Sequence, residues 1–177
     1  CNKENEVKKA NSCDTTNTTF NQLYNNVLNT SSNIEKVTMD TELHSYTFEV
    51  ISSATICKIG YRSQPTFEAF PYQIEIYNNT TNSLVYSGNH SFSSANTEYV
   101  SITPVPLIIG NSYTIKRIQN NYSNDITIYI GRVIGKNLGG DLNFPFSLNN
   151  IKITGSSFGE IVGLDNYYLP YIDIVFE

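Results

Sequence analysis

The sequence predicts an all-β protein: an antiparallel, jelly-roll-like β-sandwich behind a flexible N-terminal tether. Three observations predict it. From about residue 36 onward, apolar residues recur at every second position in several separate runs, the period of a strand with one buried and one wetter face. Turn-forming residues punctuate these runs roughly every ten residues, the spacing of a sandwich of short strands. Residues 2–19 are Asn, Lys, Glu, Ser and Thr with almost no apolar content, too polar to bury a core. The division is therefore a tether over 1–19 and one domain over 20–177, without internal repeats.

The elements follow in order. Phe20, Leu23, Tyr24, Val27 and Leu28 fall at i, i+3, i+4, i+7 and i+8, one face of a helix. The Asn residues between them are poor helix formers, so a short helix or an irregular packed segment is expected. "HSYTFEVI" then sets Tyr46, Phe48 and Val50 against Ser45, Thr47 and Glu49. "PYQIEIYN" sets Tyr72, Ile74 and Ile76 against Gln73, Glu75 and Tyr77. "DITIYIGRV" sets Ile126, Ile128 and Ile130 against Thr127 and Tyr129, and "YIDIVFE" sets Ile172, Ile174 and Phe176 against Tyr171, Asp173 and Val175. Further strands are expected at 54–62, 83–87, 97–103, 112–118 and 150–155. Turns are marked by Gln64-Pro65, Asn78-Asn79, Ser87-Gly88-Asn89, Gly110-Asn111, Asn120-Asn121, Gly139-Gly140-Asp141 and Gly155.

Composition narrows the function classes. The 177 residues are 40% hydrophobic and only 15% charged, with a formal net charge of −5. Lys8-Lys9 and Lys116-Arg117 are the adjacent basic pairs. A nucleic-acid footprint needs a basic stripe, so no nucleic-acid partner is expected. No apolar run reaches the roughly 18 residues of a membrane-spanning helix. Three cysteines, Cys1, Cys13 and Cys57, and two distant histidines offer no zinc-ligand spacing. Neither a metal nor another cofactor is expected. Cys57 shares strand parity with Ile59 and Tyr61, which suits a buried thiol. A Cys13–Cys57 bridge is the alternative, and it would pin the tether to the sandwich.

Two resemblances add expectations. The Cys1 start, followed by a polar tether, resembles a mature bacterial lipoprotein, and "NKENE" resembles the Lys-plus-acid signals that send some lipoproteins to the cell surface. That resemblance implies acyl chains on Cys1, a membrane partner through them, and a cell-envelope, outer-membrane location. Separately, "YTFEV" at 46–50, "ATICKIGYR" at 54–62, "NSLVYSG" at 82–88, "PVPLIIGNSYTI" at 104–115 and "NYYLPYIDIVF" at 166–176 resemble the bacterial domain of unknown function 4082. Members are often appended to carbohydrate-active or cell-surface proteins. The resemblance covers about 36–177 and implies a jelly-roll-like sandwich without an established activity. Residues 120–165 do not align with it, and the chain has no Trp where the family commonly has some.

Candidate chemistry is sparse. Nucleophilic catalysis needs a base and an orienting acid, and His44 and His90 are the only imidazoles. His44 begins a strand with inward parity, and His90 lies in a hairpin segment. Glu49, Glu75, Asp165 and Asp173 are carboxylates that the sequence does not pair. Asp173, between Ile172 and Ile174, is expected to point away from the core, there to guard a strand edge or meet an Arg. Asp141 and Asp165 sit in turns where carboxylates can meet calcium, but turn chemistry explains both. No catalytic residue is assigned. The thirteen Tyr are more suggestive, since aromatic rings stack on sugar faces and the phenol donates hydrogen bonds. Two clusters are candidates: a loop set of Tyr122, Tyr167 and Tyr168 beside Asp165 and Asn166, and a sheet-face set of Tyr77, Tyr129 and Tyr171. The loop set is preferred, because loops at the end of a sandwich vary without disturbing the core. The expected function is a non-catalytic envelope module that binds a glycan or another envelope component. A structural or adhesive protein–protein module is the alternative and a hydrolase the weaker one; the sequence does not speak to oligomeric state.

Overall fold

The computed structural model describes residues 13–39, 42–120, 129–159 and 164–177. Its elements are α1 (Thr19–Leu28), β1 (Asn33–Met39), β2 (Leu43–Val50), β3 (Ala54–Tyr61), β4 (Tyr72–Asn78), β5 (Ser83–His90), β6 (Glu98–Leu107), β7 (Ser112–Gln119), β8 (Tyr129–Lys136), β9 (Phe146–Leu148), β10 (Ile151–Ser157), β11 (Tyr168–Pro170) and β12 (Asp173–Phe176). They form a six-stranded sheet in the order β5-β4-β7-β2-β10-β9 and two three-stranded sheets, β12-β3-β6 and β1-β8-β11. The strand pairs in all three are antiparallel. This is the all-β sandwich that the alternation predicts.

The inward rows of β2 and β4 are the ones expected from parity. Tyr46, Phe48 and Val50 of β2, Ile74 and Ile76 of β4, and Ile151 and Ile153 of β10 are buried in one core with Ile56 and Ile59 of β3 and Ile174 of β12. Tyr113 and Ile115 of β7 join the same core, and Arg117, two residues on, is fully buried as well. Its guanidinium lies 5.8 and 5.5 Å from the ring centroids of Tyr61 and Tyr72, where the negative ring faces attract a cation.

The helix forms in full. Thr18 caps it, its hydroxyl accepting from the Asn21 N–H at 3.0 Å, which satisfies a donor that the first turn leaves unpaired. Phe20, Leu23, Tyr24 and Val27 are buried. Phe20 stacks on Tyr46 at 5.2 Å and meets Tyr171 edge-on at 5.4 Å. α1 thereby packs beside β12, the edge strand of the β12-β3-β6 sheet.

Two expectations about the closing strand are corrected here. Asp173 does not point away from the core: it is 0% exposed. Tyr171, given outward parity, is 4% exposed. Alternation reads one face as wet, but here both faces are covered, one by the sandwich interior and the other by α1 and residues 13–18. Tyr46 ties the two layers together, donating to the Ile172 carbonyl at 2.8 Å.

Residues 13–18 are fastened to the domain. Cys13 and Cys57 are joined by a disulfide with a Cα–Cα separation of 6.0 Å, so of the two readings of Cys57 the structure forms the bridge. The Cys13 N–H donates to the Phe176 carbonyl at 3.4 Å. The rest of the expected tether, Cys1 included, lies outside the described residues.

Candidate functional site

The preferred tyrosines are held by a frame of backbone bonds. Asn166 adopts φ +62°, a left-handed conformation that Asn tolerates. Its N–H donates to the Ser156 carbonyl at 2.9 Å, and its Oδ1 accepts from the Ser156 N–H at 3.1 Å. Its own carbonyl accepts from the Leu142 N–H at 2.8 Å. One residue thus clasps β10 to the turn over 137–143 and sets the exit angle of the next two residues. Those are Tyr167 and Tyr168.

Tyr168 is not in a loop, as the turn-rich sequence around it implies, but opens β11. It pairs with Gly135 of β8. The absence of a side chain there lets the ring lie flat across the strand: a Cβ on Gly135 would sit 2.7 Å from it. Phe158 supports the ring from below at 5.3 Å, and His44 lies 4.1 Å beneath Phe158. Tyr167 meets Tyr168 nearly perpendicularly, 4.8 Å between centroids and 70° between planes. Its phenol reaches Gly139 (φ +80°), where a Cβ would come within 2.6 Å of the oxygen. Both rings are half-buried. Burial and then the neighbouring Tyr167 raise the Tyr168 phenol above its ordinary pKa, so it is a neutral donor at physiological pH.

Polar groups ring the pair. Lys36 Nζ lies 5.8 Å from the Tyr168 centroid and donates to the Lys136 carbonyl at 3.1 Å. Lys136 Nζ donates to Asn143 Oδ1 at 3.2 Å. Asp141 and Asp165 are exposed on the two turns that the Leu142–Asn166 bond joins, and Leu138 stands at the tip of one of them, 98% exposed. The arrangement offers two half-buried rings, one of them backed by Phe158, with their phenols and with the Lys36 ammonium 5.8 Å from the Tyr168 centroid. It can stack a flat, hydroxylated ligand and hydrogen-bond its edge. Of the predicted set, Asp165, Asn166, Tyr167 and Tyr168 come together, while Tyr122 lies outside the described residues.

The sheet-face set does not assemble. Tyr77 lies on the outer face of β4, its phenol donating to Asn82 Oδ1 at 2.7 Å. Tyr171 is buried between α1 and β8, with Arg132 4.4 Å from its centroid. The side chain of Tyr129 is not among those described.

The other titratable candidates each have surroundings of their own. His44 is buried, and burial followed by the Arg117 charge holds its imidazole well below its ordinary pKa, so it is neutral and faces Phe158 rather than solvent. His90 meets the Tyr86 hydroxyl at 2.5 Å on β5. Glu49 pairs with Lys152 at 2.9 Å, and Glu75 accepts from Gln73 at 2.7 Å. Asp173 meets hydroxyls rather than the Arg allowed for it: Thr18 donates to its two oxygens at 2.9 and 2.8 Å, Tyr99 donates at 2.8 Å and Tyr171 at 3.3 Å. Burial, opposed by these hydrogen bonds, raises its carboxyl to about 6.

Lys36, Lys136, Gly135, Leu138 and Asn143 were not readable as site residues. The Gly139-Gly140-Asp141 turn was visible, but nothing in its spacing places it against Tyr167. Among the described residues no cluster of three metal-ligating side chains occurs, and no helix is long and apolar enough to cross a membrane. No family model matches the chain, and no curated protein matches it.

Proposed function

We propose that this protein is a non-catalytic cell-envelope module that binds a glycan, or a comparable hydroxylated envelope component, on the Tyr167–Tyr168 pair. The observation that carries the reading is the pair itself: two half-buried rings, 4.8 Å and 70° apart, with Phe158 backing Tyr168. Rings held this way lose little rotamer freedom on binding. Lys36 places a cation 5.8 Å from the Tyr168 ring, and the exposed Asp165 precedes the pair by two residues. The Cys13–Cys57 bridge supports an oxidising compartment, which suits the envelope.

Tyr167 is the cleaner probe, because Tyr168 also packs on Phe158. In a screen of the full chain against envelope polysaccharides and a glycan array, Tyr167→Ala should weaken the best ligand about ten-fold, or about 1.4 kcal/mol. Its melting temperature should move by less than about 3 °C. A ligand bound equally well by that variant would sink the reading. The second reading, an adhesive protein–protein module, is favoured by Leu84 and Val85, exposed at 52% and 39% on the edge strand β5. It predicts capture of a protein partner that Leu84→Ser weakens and Tyr167→Ala does not.

A further inference from the structure

We infer that the ligand of the tyrosine pair is an acidic sugar, its carboxylate held by Lys36 and its other oxygens met by the phenols of Tyr167 and Tyr168. The inference rests on the glycan reading of that site and names the class of glycan. The phenols come first. Tyr46, Tyr77, Tyr99, Tyr113 and Tyr171 each commit the phenol oxygen to a partner inside the protein, at 2.7 to 3.3 Å. Among the described residues no hydrogen-bond partner meets the phenol of Tyr167 or of Tyr168, and neither oxygen is sealed from solvent. Two O–H donors on adjoining half-buried rings are thus available to a ligand rich in acceptor oxygens.

Lys36 supplies the charge. It belongs to β1, and its Nζ lies 5.8 Å from the Tyr168 centroid. Among the described residues its hydrogen bond goes to a neutral group, the Lys136 carbonyl at 3.1 Å, which uses one of the three ammonium donors. The carboxylate next to it in sequence is taken, since Glu35 accepts from Arg132 at 2.7 Å. No other carboxylate of the described residues pairs with it, and the Lys152–Glu49 pair lies on the six-stranded sheet. Asp141 and Asp165, the acids of the adjoining turns, are exposed, so solvent screens their opposing field. A half-buried ammonium without a counter-charge, beside two open phenols, is matched by a carboxylate. Hydrogen bonds between charged partners are roughly twice as strong as neutral ones. A neutral sugar would leave the ammonium with only the carbonyl and the ring.

An array of oligosaccharides that each carry one hexuronate, every one beside its carboxyl-reduced counterpart, tests this on the full chain. The two members of a pair share a backbone and differ in charge. The parent protein should bind the acid member of its best pair about ten-fold tighter, the scale of one hydrogen bond to a charged group. That preference should shrink in about 0.5 M NaCl, where the Debye length is only about 4 Å. Lys36→Met should bring the acid member down to its reduced counterpart while the counterpart binds as before, which also reports an intact fold. Lys36→Arg should restore the preference, and Tyr167→Ala should weaken both members alike. Pairs bound equally by the parent, or a preference that survives Lys36→Met, would overturn the inference, and the tyrosine site would still stand where Tyr167→Ala weakens binding. A preference lost with Lys36→Met but indifferent to Tyr167→Ala would put the acid elsewhere than on the pair and overturn it as well. An array on which no member is bound overturns both readings.

Discussion

At the scale of single residues, Asp173 has the most to say about stability. A carboxyl 0% exposed is held by hydroxyls from three directions: Thr18 before α1, Tyr99 of β6 and Tyr171 before β12, with Tyr46 of β2 close enough to feel its charge. Its pKa rises from 3.8 to about 6 because burial outweighs those bonds. A carboxyl raised in the folded state favours folding below its unfolded pKa, and that contribution is lost as pH rises through the folded value. Across that window ionisation should disfavour the native state by roughly 3 kcal/mol. His44 works oppositely: its lowered pKa removes stability as pH falls below about 6.5. Comparing Asp173→Asn with the parent cancels the His44 contribution. The variant's relative stability, from urea midpoints, should therefore climb between about pH 4 and pH 6 and level off above. A difference that stays flat across that range would contradict the burial account of Asp173.

Among the elements, legibility followed exposure of one face. β4 presents one wet and one dry row where alternation put them, and so does β2 from Tyr46 to Val50, whereas Ser45, set in the wet row, is buried. β9 and β11 are three residues each, too short to show a period. β12 is dry on both faces, so Tyr171 and Asp173 were misassigned by a rule that is sound only for half-covered strands. The covering element is the strap over 13–18 together with α1, and three contacts fix it: the Cys13–Cys57 bridge, the Cys13–Phe176 bond and the Thr18–Asp173 clamp. The bridge closes a loop with a sequence separation of 44. On the chain-entropy view, opening it should cost about 2–4 kcal/mol, a fall in Tm of about 4–16 °C for a chain of this size. Calorimetry of a Cys13→Ser, Cys57→Ala double variant checks this. An unchanged Tm would mean that α1 holds β12 without the strap.

For the whole molecule, the site was legible in part because its centre is local and its rim is not. Asp165, Asn166, Tyr167 and Tyr168 are consecutive, so composition alone could group them. Lys36 reaches them only because β1 pairs with β8 across about 100 residues of chain, and no local pattern records such a pairing. The rim around the tyrosines is therefore a property of the β1–β8–β11 sheet as a whole, whereas the tyrosines themselves belong to one short run of chain.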